Sequence, residues 1–105
     1  YIEEIQGEIK LEIIDKNGDS LKAIGATKEF AAKISALNAL KENGLVVCAL
    51  YNNGIMLDAT WEDVLIGETE KITPFINNEK TDKVKAFYWD SLAGMKPIIP
   101  TTEIE

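Results

Sequence analysis

Few side chains in this 105-residue chain are able to do chemistry, and their types narrow the choice at once. There is no histidine, and all 11 basic residues are lysines. Without histidine, a Ser–His or Cys–His nucleophilic pair is excluded. The commonest general base and transition-metal ligand is missing as well. Carboxylate pairs remain: Glu62 with Asp63, Glu68 with Glu70, and Glu79 with Asp82. Sequence neighbours on a strand point to opposite faces, so Glu62 and Asp63 do not converge there. Glu68 and Glu70 flank a turn and solubilise it. A glycosidase needs two carboxylates about 5–10 Å apart in a cleft, and so short a chain leaves little room for one beside its core. The sequence therefore assigns no catalytic residue and no cofactor, and the chain is expected not to be an enzyme.

Two further groups invite a sharper reading. Asp15, Asn17 and Asp19 open like a calcium loop, D-x-N-x-D. That motif wants glycine at its sixth position and a bidentate acid at its twelfth, where this chain has Ser20 and Ala26. A hairpin turn at Asn17-Gly18 is the better reading, and no metal site is assigned. Cys48, the only cysteine, lies inside the apolar run Leu45–Tyr51 and reads as a small buried hydrophobe rather than a reactive thiol.

The aromatic residues offer the one binding hypothesis. On Lys83–Trp89, Val84, Ala86 and Tyr88 share one strand face, and Lys85, Phe87 and Trp89 share the other. If Val84 faces the core, Phe87 and Trp89 face outward. With Trp61 and Tyr51, Trp89 would then form a platform for stacking on sugar rings. The alternative is favoured: after a turn at Asp90-Ser91, Leu92, Met95, Pro97 and Ile98 fold back over Trp89 and plug the end of the core. On that reading Val84, Phe87, Trp89, Leu92, Met95 and Pro97 are structural.

The elements that must position these groups follow from composition and period. The chain is long enough for one core, and at 46% hydrophobic it is not a disordered composition. A net charge of −7 without arginine makes nucleic acid and anionic membrane surfaces poor partners. No apolar run approaches the ~20 residues of a membrane helix, so no membrane insertion is expected. The chain opens on Tyr1 rather than Met, so it is expected to be a segment of a longer protein.

Ile9–Ile13 alternates apolar and charged residues, the period of a half-buried strand, and Asn17-Gly18 is read as turning it into Leu21–Ile24. Thr27–Asn43 is ambiguous. Phe30, Ile34, Leu37 and Lys41 fall at helical spacing, with Thr27 as a cap and Gly44 as a stop, so the pattern leans to a short helix. Leu45–Tyr51 is a continuous apolar strand, turned by Asn52-Asn53-Gly54 into Ile55–Ala59 and on through Trp61–Ile66. Glu70–Thr73 before Pro74 reads as an edge strand, and Lys83–Trp89 as the last core strand. About seven short strands with Asn-Gly-type turns predict an all-β, immunoglobulin-like β-sandwich. The domain is expected to span residues 1–99, with 100–105 as a linker or tail.

Ala49-Leu-Tyr51, Leu57 and the run from Lys83 to Ile98, KVKAFYWDSLAGMKPI, resemble a module found in large secreted and surface-anchored proteins of clostridia and related Gram-positive bacteria. There an "ALY" strand, a return strand and a closing "KVFLWDSLxGMKPL" recur. Tyr88 departs from that pattern, where leucine is usual. The resemblance implies an immunoglobulin- or fibronectin-like sandwich without catalysis of its own, lying beside catalytic, adhesive or wall-anchoring modules. It moves Ala32–Asn38 from helix to strand. It also implies that the chain is secreted or at the cell surface, that its partners are neighbouring domains of the same polypeptide, and that it spaces or presents them. The runner-up functions are carbohydrate binding through the aromatic platform, with a polysaccharide as partner, and adhesion or self-association through a sheet edge.

Overall fold

Alternation with a period of two governs the chain. Leu11 and Ile13 in one segment face Ile34 and Ala32 in another, directly across an antiparallel ladder, and all four are buried. The computed structural model describes residues 9–36, 40, 43–91 and 93–105. Its strands are β1 (Ile9–Ile14), β2 (Glu29–Ala36), β3 (Gly44–Asn52), β4 (Ile55–Val64), β5 (Glu70–Ile72), β6 (Ile76–Asn77), β7 (Lys83–Trp89) and β8 (Thr102–Ile104). They form two antiparallel sheets, β1-β2-β5 with β6 also on β2, and β4-β3-β7-β8. Phe30, Ile34 and Leu11 of the first sheet and Val46, Leu50, Val84 and Tyr88 of the second belong to one core cluster. The protein is an all-β sandwich. With β5 and β6 taken as one strand broken at Pro74, the described residues form seven strands, though not the set read from the sequence: Leu21–Ile24 is absent from it and Thr102–Ile104 is included.

The helix that the pattern suggests within residues 27–43 is corrected by β2, which bears out the strand expected over Ala32–Asn38 as far as Ala36; Asn38 lies outside the described residues. Phe30 and Ile34 are four apart, which places them on one face of a helix and equally on one face of a strand. Between them Ala32 also points inward and is fully buried, so the true period is two. Leu37 and Lys41, the rest of the helical reading, lie outside the described residues. Leu21–Ile24 is not a strand either. It contributes only the Ile14–Ser20 bridge and a bond from the Leu21 N–H to the Ile13 carbonyl. Asp15 fixes that turn: its Oδ1 accepts from the N–H groups of Asn17 (2.9 Å) and Asp19 (3.0 Å). In the Asn17-Gly18 pair only Gly18 takes positive φ, so the turn there is not type I′. A type I′ turn forms at Asn53-Gly54, with φ of 52° and 79°.

Thr73 bridges the break before Pro74. Its N–H donates to the Ala32 carbonyl, and its Oγ1 accepts from the Ala32 N–H, both at 3.0 Å. The hydroxyl thus stands in for a ladder carbonyl where the chain leaves the β5 register. Thr73 is 2% exposed, so Thr73→Val leaves a buried N–H without its acceptor. Urea unfolding should show a loss of about 1–3 kcal/mol.

Residues 100–105 are not a tail. Thr102–Ile104 is β8, paired with Val84–Ala86 of β7. Ile104 enters the core, and the Thr102 hydroxyl donates to the Leu11 carbonyl at 2.7 Å, tying the two sheets together.

Candidate functional site

The outer faces of the two sheets differ in kind. On β1-β2-β5 the outward positions include Lys10, Glu12, Lys33, Ser35 and Glu70, an ordinary solvated face with a Lys33–Glu70 pair at 3.8 Å. On β4-β3-β7-β8 the outward residues of β3 are Leu45, Val47 and Ala49. They are nearly inaccessible, at 5%, 3% and 0% exposed. Larger side chains on the neighbouring strands flank them. Val47 lies between Trp61 of β4 and Phe87 of β7, and Leu45 between Asp63 and Trp89. A central strand sheltered on both faces reads as a continuous apolar run, which is why Leu45–Tyr51 shows no alternation.

The face therefore carries an aromatic strip. Phe87 and Trp89 stack with centroids 4.7 Å apart and planes at 29°, and both are half-buried. Trp61 is 47% exposed. Tyr51 shares the face two residue pairs further along β3. Its ring is taken by Lys85, whose Nζ lies 5.0 Å from the centroid. Of the platform residues read from the sequence, Trp61 lies across β3 from Phe87, Trp89 lies two residues further along β7, and Tyr51 stands apart. Phe87, assigned only to structure, completes the group. The signal for it was its position two residues before Trp89 on one strand face.

Of the residues expected to plug the core over Trp89, Met95 is 55% exposed and Pro97 is exposed, Ile98 packs against the core, and Leu92 lies outside the described residues. The segment after Trp89 is a hairpin loop held by its own polar groups. Asp90 Oδ1 accepts from the Lys96 N–H (3.1 Å), Ser91 Oγ from the Gly94 N–H (2.9 Å), and the Tyr88 carbonyl from the Ile98 N–H (2.8 Å). A side chain at Gly94 would meet Asp90 Oδ1 and Ser91 Oγ at 3.0 Å. The Asp-Ser-x-x-Gly pattern is a turn lock that delivers Ile98 and Ile99 against the core and the chain into β8.

The carboxylates go to similar work. Glu62 and Asp63 pair with Val46 and Leu45 and so lie on opposite sheet faces. Asp82 accepts from the Asn53 N–H at 3.1 Å. Among the described residues, no group of three or more His, Cys, Asp or Glu is placed to hold a metal ion. Burial pushes the Cys48 thiol up to about 12, so it is protonated at neutral pH. Among the described residues, no helix is long and apolar enough to cross a membrane.

Two ionic groups predict a pH dependence. The Leu65 N–H, then Lys71, hold the Glu68 carboxyl below its usual 4.5. A depressed carboxyl contributes stability above its unfolded value and loses it as pH falls through the folded one. Lys83, hydrogen-bonded first to Glu105 and also near Glu103, is raised above 10.5. Its contribution is complete below that value and is lost as pH rises through the raised one. Urea midpoints should fall below about pH 4.5 and above about pH 10.5, and Glu68→Gln should flatten the acid limb.

Compared with known families and curated proteins, the chain matches no family model and no curated sequence.

Proposed function

We propose that this chain is a non-catalytic β-sandwich module of a larger secreted or cell-surface bacterial protein, where it spaces and presents the modules joined to it. The observation that carries the reading is where the carboxylates are spent. Asp15, Glu68, Asp82 and Asp90 accept backbone N–H groups in turns, while Glu70, Glu103 and Glu105 pair with lysines on strands. Three of these turns are thereby locked by a side chain of their own and the Asn53-Gly54 turn by Asp82 of another loop, which suits a unit whose task is a fixed outline. The resemblance of the closing KVKAFYWDSLAGMKPI to modules of clostridial surface proteins supports the same reading, and the neighbouring domains of one polypeptide are the partners it implies.

Incubating the chain with xylan, mannan and pectin tests this directly. No release of reducing ends is expected. Release that disappears in Glu62→Gln or Glu70→Gln would overturn the reading. Placed between two folded domains, the chain should hold them at one separation by X-ray scattering, and a broad distribution of separations would count against it.

A further inference from the structure

We propose that the outer face of the β4-β3-β7-β8 sheet binds a neutral, β-linked pyranose polymer, stacking it on Trp61 and setting it against the Phe87–Trp89 pair, each of whose rings has one face taken by the other. This goes beyond the spacing role and does not depend on it. The two stacking positions lie on either side of β3, two strand spacings or about 10 Å apart. Between them Val47, 3% exposed, forms an apolar floor. An extended β-linked chain presents the same ring face once per disaccharide, a repeat of similar length. Equatorially substituted pyranoses carry axial C–H groups on their faces, and these suit the electron-rich face of an aromatic ring. Asp63, opposite Leu45 at one end of the strip, supplies a carboxylate for hydroxyls.

Charge and area choose this occupant over others. The chain carries −7 overall. Lys83 is already held by Glu105 (3.1 Å) and Glu103 (3.5 Å), and Lys85 lies over the Tyr51 ring. An acidic polymer would meet the chain's net negative charge, with both outward lysines of β7 already engaged. A stable protein interface needs about 800 Å² per partner. Trp61, 47% exposed, offers roughly 100 Å², and the half-buried Phe87 and Trp89 leave the strip far short of a dimer surface. A narrow strip of rings matches a narrow, uncharged polymer.

Titration calorimetry and native-gel retardation of the whole chain with soluble glucomannan, and separately with polygalacturonate, test the proposal. Glucomannan should bind and slow the chain, and polygalacturonate should do neither. Trp61→Ala, at an exposed edge-strand position, should keep its thermal midpoint and lose about tenfold in affinity. Trp61→Tyr keeps a ring and should retain most of the binding. Absence of binding to glucomannan, binding to polygalacturonate alone, or unchanged affinity in Trp61→Ala would each overturn it. So would a concentration-dependent mass in light scattering that Trp61→Ala abolishes, since the face would then belong to a second copy.

Discussion

Gly44→Ala is expected to destabilise the domain by about 1–3 kcal/mol, and most of that loss should disappear when Tyr88 is replaced by leucine. A Cβ built on Gly44 would lie 2.5 Å from Tyr88 Cε1 and 2.8 Å from its Cζ, closer than such atoms approach. The ring cannot swing away, because Tyr88 is 1% exposed and stands in the core with Val46 and Val84. Tyr88→Ala should cost about 3–5 kcal/mol for the same reason. In Gly44→Ala/Tyr88→Leu the clashing atoms are gone, so the double-mutant cycle should show a favourable coupling of about 0.5–3 kcal/mol. Additive costs in urea unfolding would contradict this packing. The tyrosine fits at this position because Gly44, its neighbour on β3, has no side chain.

Deleting residues 101–105 should be about as damaging. Ile104, 6% exposed, is a core residue, and loss of such a side chain costs about 2–5 kcal/mol. The deletion also removes the Thr102–Leu11 hydrogen bond and both carboxylates on Lys83. Domains of this size have only about 5–15 kcal/mol in hand, so the truncated chain should lose a large part of its stability. Ile104→Ala gives the milder version of the same result. Unfolding curves that overlay the full chain would mean that this segment is the tail its composition suggests.

The sandwich was legible because turns and apolar runs carry it. Asn53-Gly54, the run Leu45–Tyr51 and the alternation in Ile9–Ile14 each specify their element locally. Glu29–Ala36 was not legible from pattern, since Phe30 and Ile34 satisfy both periods and only Ala32, small and easily overlooked, distinguishes them. β8 was hidden for another reason. Three residues between prolines and acids have no period of their own, and β7 supplies the ladder that makes them a strand. The role of the closing motif was misread because Leu92, Met95 and Pro97 are apolar, while Asp90, Ser91 and Gly94 hold the loop. The aromatic strip was half visible. Strand alternation put Trp89 and Phe87 on one face, but only the strand registers set Trp61 across β3 from Phe87 and leave Tyr51 apart.

Acrylamide quenching of single-tryptophan variants tests the central claim most directly, namely that the sandwich holds an aromatic strip open on its outer face. Trp89→Phe leaves Trp61 as the reporter. Its emission should be red-shifted and readily quenched, and adding glucomannan should protect it. Trp61→Phe leaves Trp89, which should be less accessible to quencher. A blue-shifted Trp61 that acrylamide cannot reach would contradict the account, because the strip would then be covered by the protein itself.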